Sequence, residues 1–114
     1  MKQLTFLILA IGFTISLTGQ NLEDLQFGTD STLDVVTWNI EWFPKEGQTT
    51  IEYVTDILRA MEADVIAVQE IDQYNDFVEM MDGLEDWEGI STNTGYLNLA
   101  YIYNPEFVEM TSIY

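Results

Sequence analysis

The sequence predicts an α/β fold, and three observations lead to that prediction. Two short apolar runs, Leu33–Ile40 and Val65–Glu70, have the β-branched and aromatic content of strands. A segment with apolar residues at helical spacing separates them. A strand, a helix and a second strand form a βαβ unit, in which the two strands run parallel and the connection is right-handed. We therefore expect a sheet that contains this parallel pair.

The helix between the two strands should begin near Thr49 or Thr50, because a threonine hydroxyl can cap the first turn. Its apolar residues recur at i, i+3, i+7 and i+10, which is the pattern of a helix that packs one face on a sheet. These residues are Ile51, Val54, Leu58 and Met61. The opposite face is charged and should contact solvent.

The C-terminal part of the chain should contain another helix and further strands. Apolar residues at helical spacing precede Gly83, which is well placed as a helix cap, and residues 92–95 have the composition of a turn. The elements expected in this part are a helix over Gln73–Asp82 and strands over Trp87–Ser91, Tyr96–Tyr103 and Phe107–Ile113.

The first twenty residues have the layout of a secretory signal peptide. Lys2 forms a short basic region, residues 4–15 are mostly apolar, and residues 16–19 are mostly small or polar, as at a cleavage site. The apolar stretch is shorter than the roughly 20 residues of a membrane span. We expect a signal peptide over residues 1–20, a linker over 21–32, no stable membrane anchor and a secreted or periplasmic location.

Composition excludes several chemistries. The chain has no cysteine and no histidine, so it cannot by itself form a disulfide, a thiolate nucleophile, a histidine base or a His/Cys zinc site. Its net charge is −17, with only Lys2, Lys45 and Arg59 as cations. Such a surface repels the phosphates of nucleic acid unless cations intervene. Most of its carboxylates are expected to serve solubility.

Polar side chains follow both predicted strands. Asn39 comes at the end of the first, and Glu70 ends the second. Because the carboxyl ends of parallel strands meet at one edge of a sheet, we expect Asn39 and Glu70 to share a crevice. A carboxylate suits Mg²⁺, and an amide can orient a phosphate oxygen or a water. From spacing alone, a helix cap by Glu70 and a loop contact by Asn39 remain open.

The residues around these two strand ends resemble a known family. The first motif is Val36–Glu41, which ends in an aromatic-Asn-Ile sequence, and the second is Ala63–Ile71, which ends in Gln-Glu-Ile. Leu99–Asn104 is similar to the next core strand of the same family. Together these segments resemble the opening of the endonuclease/exonuclease/phosphatase superfamily, and the resemblance covers residues 33–114.

The resemblance implies a fold, a reaction and site residues. The family fold is a four-layer α/β sandwich with two facing mixed β-sheets, of which this chain would form the N-terminal half. Glu70 matches the family's metal-binding glutamate, and Asn39 matches the asparagine near the metal and the scissile phosphate. The resemblance implies a metal-dependent hydrolase that uses Mg²⁺, or another divalent cation such as Mn²⁺ or Ca²⁺, and a metal-activated water to cleave phosphodiester bonds.

The chain departs from the family pattern in what it lacks. Later family motifs supply an Asp/Asn pair, an aspartate and a histidine, whereas this chain has no histidine. We therefore expect residues 33–114 to be the N-terminal part of a longer secreted enzyme. The fragment alone should be inactive.

Other interpretations stay open at this point. The substrate is expected to be nucleic acid or a small phosphoester, and a lipid phosphoester is an alternative. A non-catalytic secreted module could instead bind Ca²⁺ at an acidic cluster, although a solvated loop is favoured there. That cluster is Asp82, Glu85, Asp86 and Glu88. Trp42 and Phe43 could contact substrate or form a hydrophobic lid over the sheet edge.

Overall fold

Strands and helices alternate from the first strand to the third, as the βαβ pattern predicts, and a fourth strand follows the third directly. The computed structural model describes residues 21–112, so the signal peptide expected over residues 1–20 lies outside the described part. Its elements are β1 Val35–Phe43, α1 Gln48–Met61, β2 Val65–Ile71, α2 Tyr74–Asp82, β3 Glu88–Ser91 and β4 Asn98–Tyr103. A single 3₁₀ turn, Leu22–Leu25, lies in the predicted linker.

The four strands form one mixed sheet in the order β1-β2-β4-β3. β1 and β2 are parallel neighbours, with Val35 opposite Val65, which confirms the predicted pair. β4 runs antiparallel to both β2 and β3. The α/β class is therefore confirmed, and residues 21–112 form a single sheet. The second, facing sheet that the resemblance implies is not part of the described residues.

Both helices contribute to a core on one face of this sheet. Every second residue of β2 and β4 points to that face, as the pleat of a strand requires. The buried core residues include Ile66 and Val68 of β2, Ala100 and Ile102 of β4, Ile51, Val54 and Leu58 of α1, and Phe77 and Met80 of α2. Burying each large apolar side chain stabilises the fold by roughly 1.5–3 kcal/mol. The predicted apolar residues of α1 thus pack as expected.

The other face of the sheet is open. Val35, Leu99 and Tyr101 point to it, and they are 61%, 55% and 59% exposed. Tyr101 stands opposite Ala67 in the register, so the side chain next to it on this face is small and apolar. A sheet face of this composition normally packs against another layer. In the structure of residues 21–112 it contacts solvent.

Two local predictions at helix α1 need correction. The helix begins at Gln48, and its N-cap is Gly47 rather than a threonine. Gly47 has φ 59 and ψ −134, a conformation that only glycine adopts without strain. The Thr50 hydroxyl instead accepts a hydrogen bond from the N–H of Glu46. The threonine therefore stabilises the entry to the helix from inside its first turn.

The strand predicted over Phe107–Ile113 is wrong for residues 107–112. The Asn104 carbonyl accepts hydrogen bonds from the N–H groups of Phe107 and Val108, at 3.2 and 3.0 Å. Its side-chain Oδ1 also accepts the N–H of Glu106, at 2.9 Å. The chain therefore turns here, since an asparagine and a following proline favour a turn. Apolar residues alone do not form a strand without a neighbouring strand to pair with.

Among residues 21–112, no helix has the length and apolar character needed to cross a membrane.

Candidate active site

The pairing between β1 and β2 becomes irregular at the carboxyl ends of both strands. The register is continuous up to Asn39, which stands opposite Gln69. The next pair is Phe43 with Ile71, so residues 40–42 of β1 stand opposite residue 70 of β2. Such bulges re-aim side chains and are frequent beside active sites.

The backbone at this edge is also strained. Glu41, Trp42, Glu70 and Leu97 have positive φ values of 41°, 55°, 64° and 44°. The left-handed conformation costs a residue with a side chain roughly 1–2 kcal/mol. Strained residues persist where the surrounding structure holds them, and they cluster at functional sites. Three elements, β1, β2 and the turn before β4, place such residues at one edge of the sheet.

The left-handed backbone at Glu70 changes the side to which its carboxylate points. Val68 is buried under the helices, and Gln69 points to the open face. Simple alternation would direct Glu70 toward the helices again. Instead, the Glu70 carboxylate reaches the side chain of Asn39, whose Nδ2 donates a hydrogen bond of 2.7 Å to Glu70 Oε1. The bulge therefore brings the two predicted site residues together.

The Asn39 amide is held at both of its ends. Its Oδ1 accepts the N–H of Glu41 at 2.9 Å, and its Nδ2 donates to Glu70. Glu70 does not cap α2, whose N-cap residue is Gln73. Because a hydrogen bond to an ionised acceptor is stronger than a neutral one, Asn39 fixes the orientation of the Glu70 carboxylate. The catalytic role of both residues, and a place for Asn39 among the metal ligands, stay predictions.

A second polar contact lies beside the first on the open face. Gln69 Nε2 donates to Thr37 Oγ1 at 3.0 Å and to the Ala67 carbonyl at 2.9 Å. Thr37 precedes Asn39 by two residues on β1, so both side chains point to the same face. The polar strip at the ends of β1 and β2 is thus internally hydrogen-bonded.

Glu41 is separate from this strip. Its carboxylate forms an exposed ion pair with Lys45, with 2.8 Å between Oε1 and Nζ. The hydrogen bond and charge of Lys45 lower the pKa of Glu41, and the same contact raises the pKa of Lys45. Glu41 is therefore an exposed carboxylate with a cation beside it.

Asn98 is a buried polar residue that the sequence analysis treated only as part of a strand. It is 1% exposed, and its Nδ2 donates to the Ile71 carbonyl at 3.2 Å. Its Oδ1 accepts the N–H of Thr94 at 2.8 Å. Asn98 thus joins the turn before β4 to the residue that follows Glu70. Its signal was an amide in an otherwise apolar strand, directly after a turn.

Trp42 and Phe43 have different positions. Phe43 is fully buried in the core, whereas Trp42 is 46% exposed. The Trp42 ring meets the ring of Tyr96 edge to face, with 5.7 Å between centroids and 72° between planes. Of the two side chains that were expected to contact substrate or cover the edge, only Trp42 remains accessible.

The described residues contain few ligands for a metal in any one place. No group of three or more acidic side chains within residues 21–112 is arranged to hold an ion. The acidic cluster suggested for Ca²⁺ belongs to this part of the chain. Its residue Glu88 instead accepts a hydrogen bond from the Tyr103 hydroxyl. Glu70 is therefore a lone carboxylate beside an amide.

An open cleft of about 710 Å³ lies at the other end of the sheet, where β1 and β2 begin. Phe27 and Trp87 line it together with carboxylates and Arg59. It is distant from the Asn39–Glu70 contact along both strands, because Asp34 and Asp64 at its wall precede β1 and β2.

Comparison with known proteins identifies the group to which this edge of the sheet belongs. A family model described as Endonuclease/Exonuclease/phosphatase family matches residues 36–112, which include Asn39 and Glu70. A search of curated proteins and a search of solved structures gave no match. The matched segment includes β2, β3, β4 and all of β1 except Val35. The chain therefore belongs to the endonuclease/exonuclease/phosphatase family, whose members in general are hydrolases that act on phosphoester bonds.

Proposed function

We propose that this chain is the N-terminal part of a secreted or periplasmic phosphodiesterase that cleaves phosphodiester bonds with a metal-activated water. The observation that carries this proposal is the hydrogen bond between Asn39 and Glu70 at the carboxyl edge of the sheet. The backbone is left-handed at Glu41 and Trp42 of β1 and at Glu70 of β2, against the intrinsic preference of these residues. This conformation places the Glu70 carboxylate beside the Asn39 amide. Family membership supplies the reaction class.

The donor set at this point fits a hard divalent cation. Mg²⁺ prefers oxygen ligands and is commonly held by one or two carboxylates together with waters and substrate phosphates. Glu70 would hold the ion, which we propose to be Mg²⁺ with Mn²⁺ or Ca²⁺ as alternatives. Such an ion, when bound, polarises the phosphoryl oxygen and activates water. The neighbouring amide keeps the carboxylate in a fixed direction, since a group that hydrogen-bonds to a metal ligand orients that ligand.

The remaining groups of the site are proposed to come from further chain. One carboxylate and one amide do not supply a base for the attacking water. The open face with Val35, Leu99 and Tyr101 would suit the second sheet of the family fold, because burying it would remove apolar surface from water. We propose that this second sheet completes the sandwich. Secretion is supported by the signal-like composition of residues 1–20.

A small phosphoester is the second candidate substrate. The specific observation in its favour is charge. The chain carries a net charge of −17, and within the described part Lys45 is the one cationic residue close to the site. A long phosphate backbone would meet strong repulsion over many contacts, whereas a small substrate would meet it only at the site. A bound metal ion would offset this repulsion locally.

An activity assay on the full-length protein that carries this chain tests the proposal. Purified protein is incubated with single- and double-stranded DNA and with a chromogenic phosphodiester, with Mg²⁺ and then with excess chelator. We expect hydrolysis that chelator abolishes and that added Mg²⁺ restores. Hydrolysis that persists in chelator contradicts the metal requirement. Absence of hydrolysis on every phosphoester contradicts the proposed activity.

A further inference from the structure

An exposed aromatic pair lies next to the Asn39–Glu70 contact. The rings of Trp42 and Tyr96 stand 5.7 Å apart, and their residues are 46% and 59% exposed. Aromatic side chains that combine rigid shape with large apolar area are frequent in binding sites. This pair therefore presents apolar surface at an edge that is otherwise polar.

Backbone pairing places Trp42 at the same level as Glu70. Phe43 of β1 stands opposite Ile71 of β2, and the Phe43 carbonyl accepts the N–H of Asp72 at 2.9 Å. Trp42 directly precedes Phe43, and Glu70 directly precedes Ile71. The indole and the carboxylate thus start from adjacent points on two neighbouring strands, which differ by one strand spacing of about 4.8 Å.

Tyr96 reaches this place through the turn before β4. Asn98 anchors that turn, because its amide donates to the Ile71 carbonyl and accepts the N–H of Thr94. The anchor is buried, so the turn has a fixed position relative to the end of β2. Tyr96 contacts the indole from this fixed position and limits the directions that Trp42 can take.

The core does not account for the position of the indole. Phe43 fills the core beside it and is fully buried, whereas Trp42 stays accessible in a left-handed conformation with φ 55°. A large aromatic residue adopts this conformation only when its surroundings hold it there. The bulge thus turns the indole toward solvent beside the site instead of into the core.

The charge of this edge indicates what the indole can bind. Glu41 directly precedes Trp42 in the chain, Glu70 stands at the same level on β2, and Lys45 is already paired with Glu41. A phosphoester gains little from charge here apart from the metal, so further affinity must come from uncharged contact. A planar heterocycle stacks on an aromatic ring whatever the charge around it. A phosphodiester with neither a ring nor a quaternary ammonium group offers nothing for the indole to stack on or attract.

Resting on the proposed function, we propose that Trp42 is the specificity-determining residue of this site. It stacks on a planar ring that the substrate carries next to the scissile phosphate, and the substrate is therefore a nucleotide phosphodiester. Tyr96 is a positioning residue that holds the indole edge to face. A phosphodiester with neither a ring nor a quaternary ammonium group would use the same metal site but would gain nothing from the indole.

Kinetics with two substrates test this assignment. Full-length wild type, Trp42→Leu and Trp42→Phe are compared on a dinucleoside monophosphate and on glycerophosphoglycerol, a phosphodiester with neither an aromatic ring nor a quaternary ammonium group that could bind the indole. We expect Trp42→Leu to lower kcat/KM on the dinucleotide by about 5- to 100-fold, mainly through KM. Activity on glycerophosphoglycerol should stay within about twofold, and Trp42→Phe should retain most of the dinucleotide activity. Tyr53→Leu, which changes another exposed aromatic residue, should match wild type.

Equal losses on both substrates would assign Trp42 a purely structural role and would overturn the inference. An unchanged dinucleotide KM in Trp42→Leu would overturn it as well. For Tyr96, Tyr96→Leu should raise KM on the dinucleotide and shift the Trp42 fluorescence, and Tyr96→Phe should restore both. A Tyr96→Leu variant with an unshifted fluorescence spectrum contradicts the positioning role.

Binding separates this inference from the proposed function. A nucleoside monophosphate is titrated into wild type and Trp42→Phe without metal, and quenching of tryptophan fluorescence is followed. Quenching in wild type that Trp42→Phe removes supports the stacking site even if no phosphoester is hydrolysed. Equal quenching in both proteins overturns it, even if hydrolysis occurs.

Discussion

The two ends of the sheet are built from the same strands, yet they differ in backbone strain. At the amino end, the Asp34 carbonyl accepts the N–H groups of Asp64 and Val65, and the Asp64 carboxylate accepts the N–H of Asp34 at 2.7 Å. None of these residues has a left-handed backbone. At the carboxyl end, Glu41 and Glu70 are both left-handed. Among the non-glycine residues of the described part, four at the carboxyl end have a left-handed backbone, whereas at the amino end only Glu62, the C-cap of α1, does.

The difference shows what each end contributes. The amino end satisfies its own hydrogen bonds in relaxed geometry and so adds stability. The carboxyl end costs conformational energy, which the buried core must offset, and in return it brings Asn39 to Glu70. An exchange at the Asn39–Glu70 contact should thus change activity, whereas exchanges elsewhere at either end should change mainly stability. The following predictions test that division.

The largest effect is expected for Glu70→Gln in the full-length protein. Glutamine keeps the shape of the side chain but removes the charge that would hold the metal, so kcat/KM on a phosphodiester should fall roughly 100-fold or more. The matched controls are Glu41→Gln, at the same end, and Asp64→Asn, at the amino end. Both should keep activity within a few fold across a Mg²⁺ titration, with folding checked by circular dichroism. A folded Glu70→Gln enzyme with normal metal dependence contradicts the site assignment.

The next largest effect concerns stability. Asn98→Ala removes the partner of the Ile71 carbonyl and of the Thr94 N–H, and leaves both without a side-chain contact. The free energy of unfolding should fall by about 2–3 kcal/mol in denaturant titrations. Asn93→Ala, an exposed change in the same turn, should alter it by less than about 0.5 kcal/mol. Similar losses in both variants would contradict an anchoring role for Asn98.

Glycine scanning measures the strain directly. Glu41 has φ 41°, so Glu41→Gly should raise the free energy of unfolding by about 0.5–1 kcal/mol, since glycine adopts this conformation freely. Asp34→Gly at the amino end should lower it by a comparable amount, because glycine loses more conformational freedom in relaxed structure. Thermal unfolding of the two variants under the same conditions gives the comparison. A loss of stability in Glu41→Gly would show that the carboxyl end is not strained at this residue.

The smallest effect is the pH dependence of the Glu41–Lys45 pair. Lys45 lowers the pKa of Glu41 from its ordinary value of 4.5, so the pair adds stability above pH 4.5 and loses it as the pH falls through the lowered value. Both side chains are exposed, and the contribution is therefore small. Nuclear magnetic resonance titration of the Glu41 carboxyl in wild type and Lys45→Met measures it. An identical Glu41 pKa in both proteins would contradict the pairing.

The βαβ unit could be predicted because its signals are local. The apolar spacing of α1 and the composition of β1 and β2 determine the elements, and parallel pairing then brings Asn39 near Glu70. The left-handed turn at Glu70 could not be predicted, because glutamate carries no preference for it. Alternation alone would have directed that carboxylate toward the helices. The two residues were predicted to meet, but the bulge that lets their side chains touch was not.

Other differences have the same origin in tertiary context. Residues 107–112 have apolar character, but the turn at Asn104 takes the chain away from β4. The role of Asn98 depends on the Ile71 carbonyl, which is distant along the chain and becomes its neighbour only when β2 and β4 pair. Contacts of this kind belong to the folded sheet and have no local signature.

The open apolar face also has a consequence for how the protein behaves in concentrated solution. Two molecules could associate through the exposed apolar side chains of Val35, Leu99 and Tyr101. The net charge of −17 opposes this association, because two molecules of like charge repel each other. Repulsion between like charges weakens with ionic strength, since the screening length is about 10 Å at 0.1 M salt and about 3 Å at 1 M. Colloidal stability of the described part should thus decrease as salt rises, the reverse of the trend for proteins that associate through opposite charges.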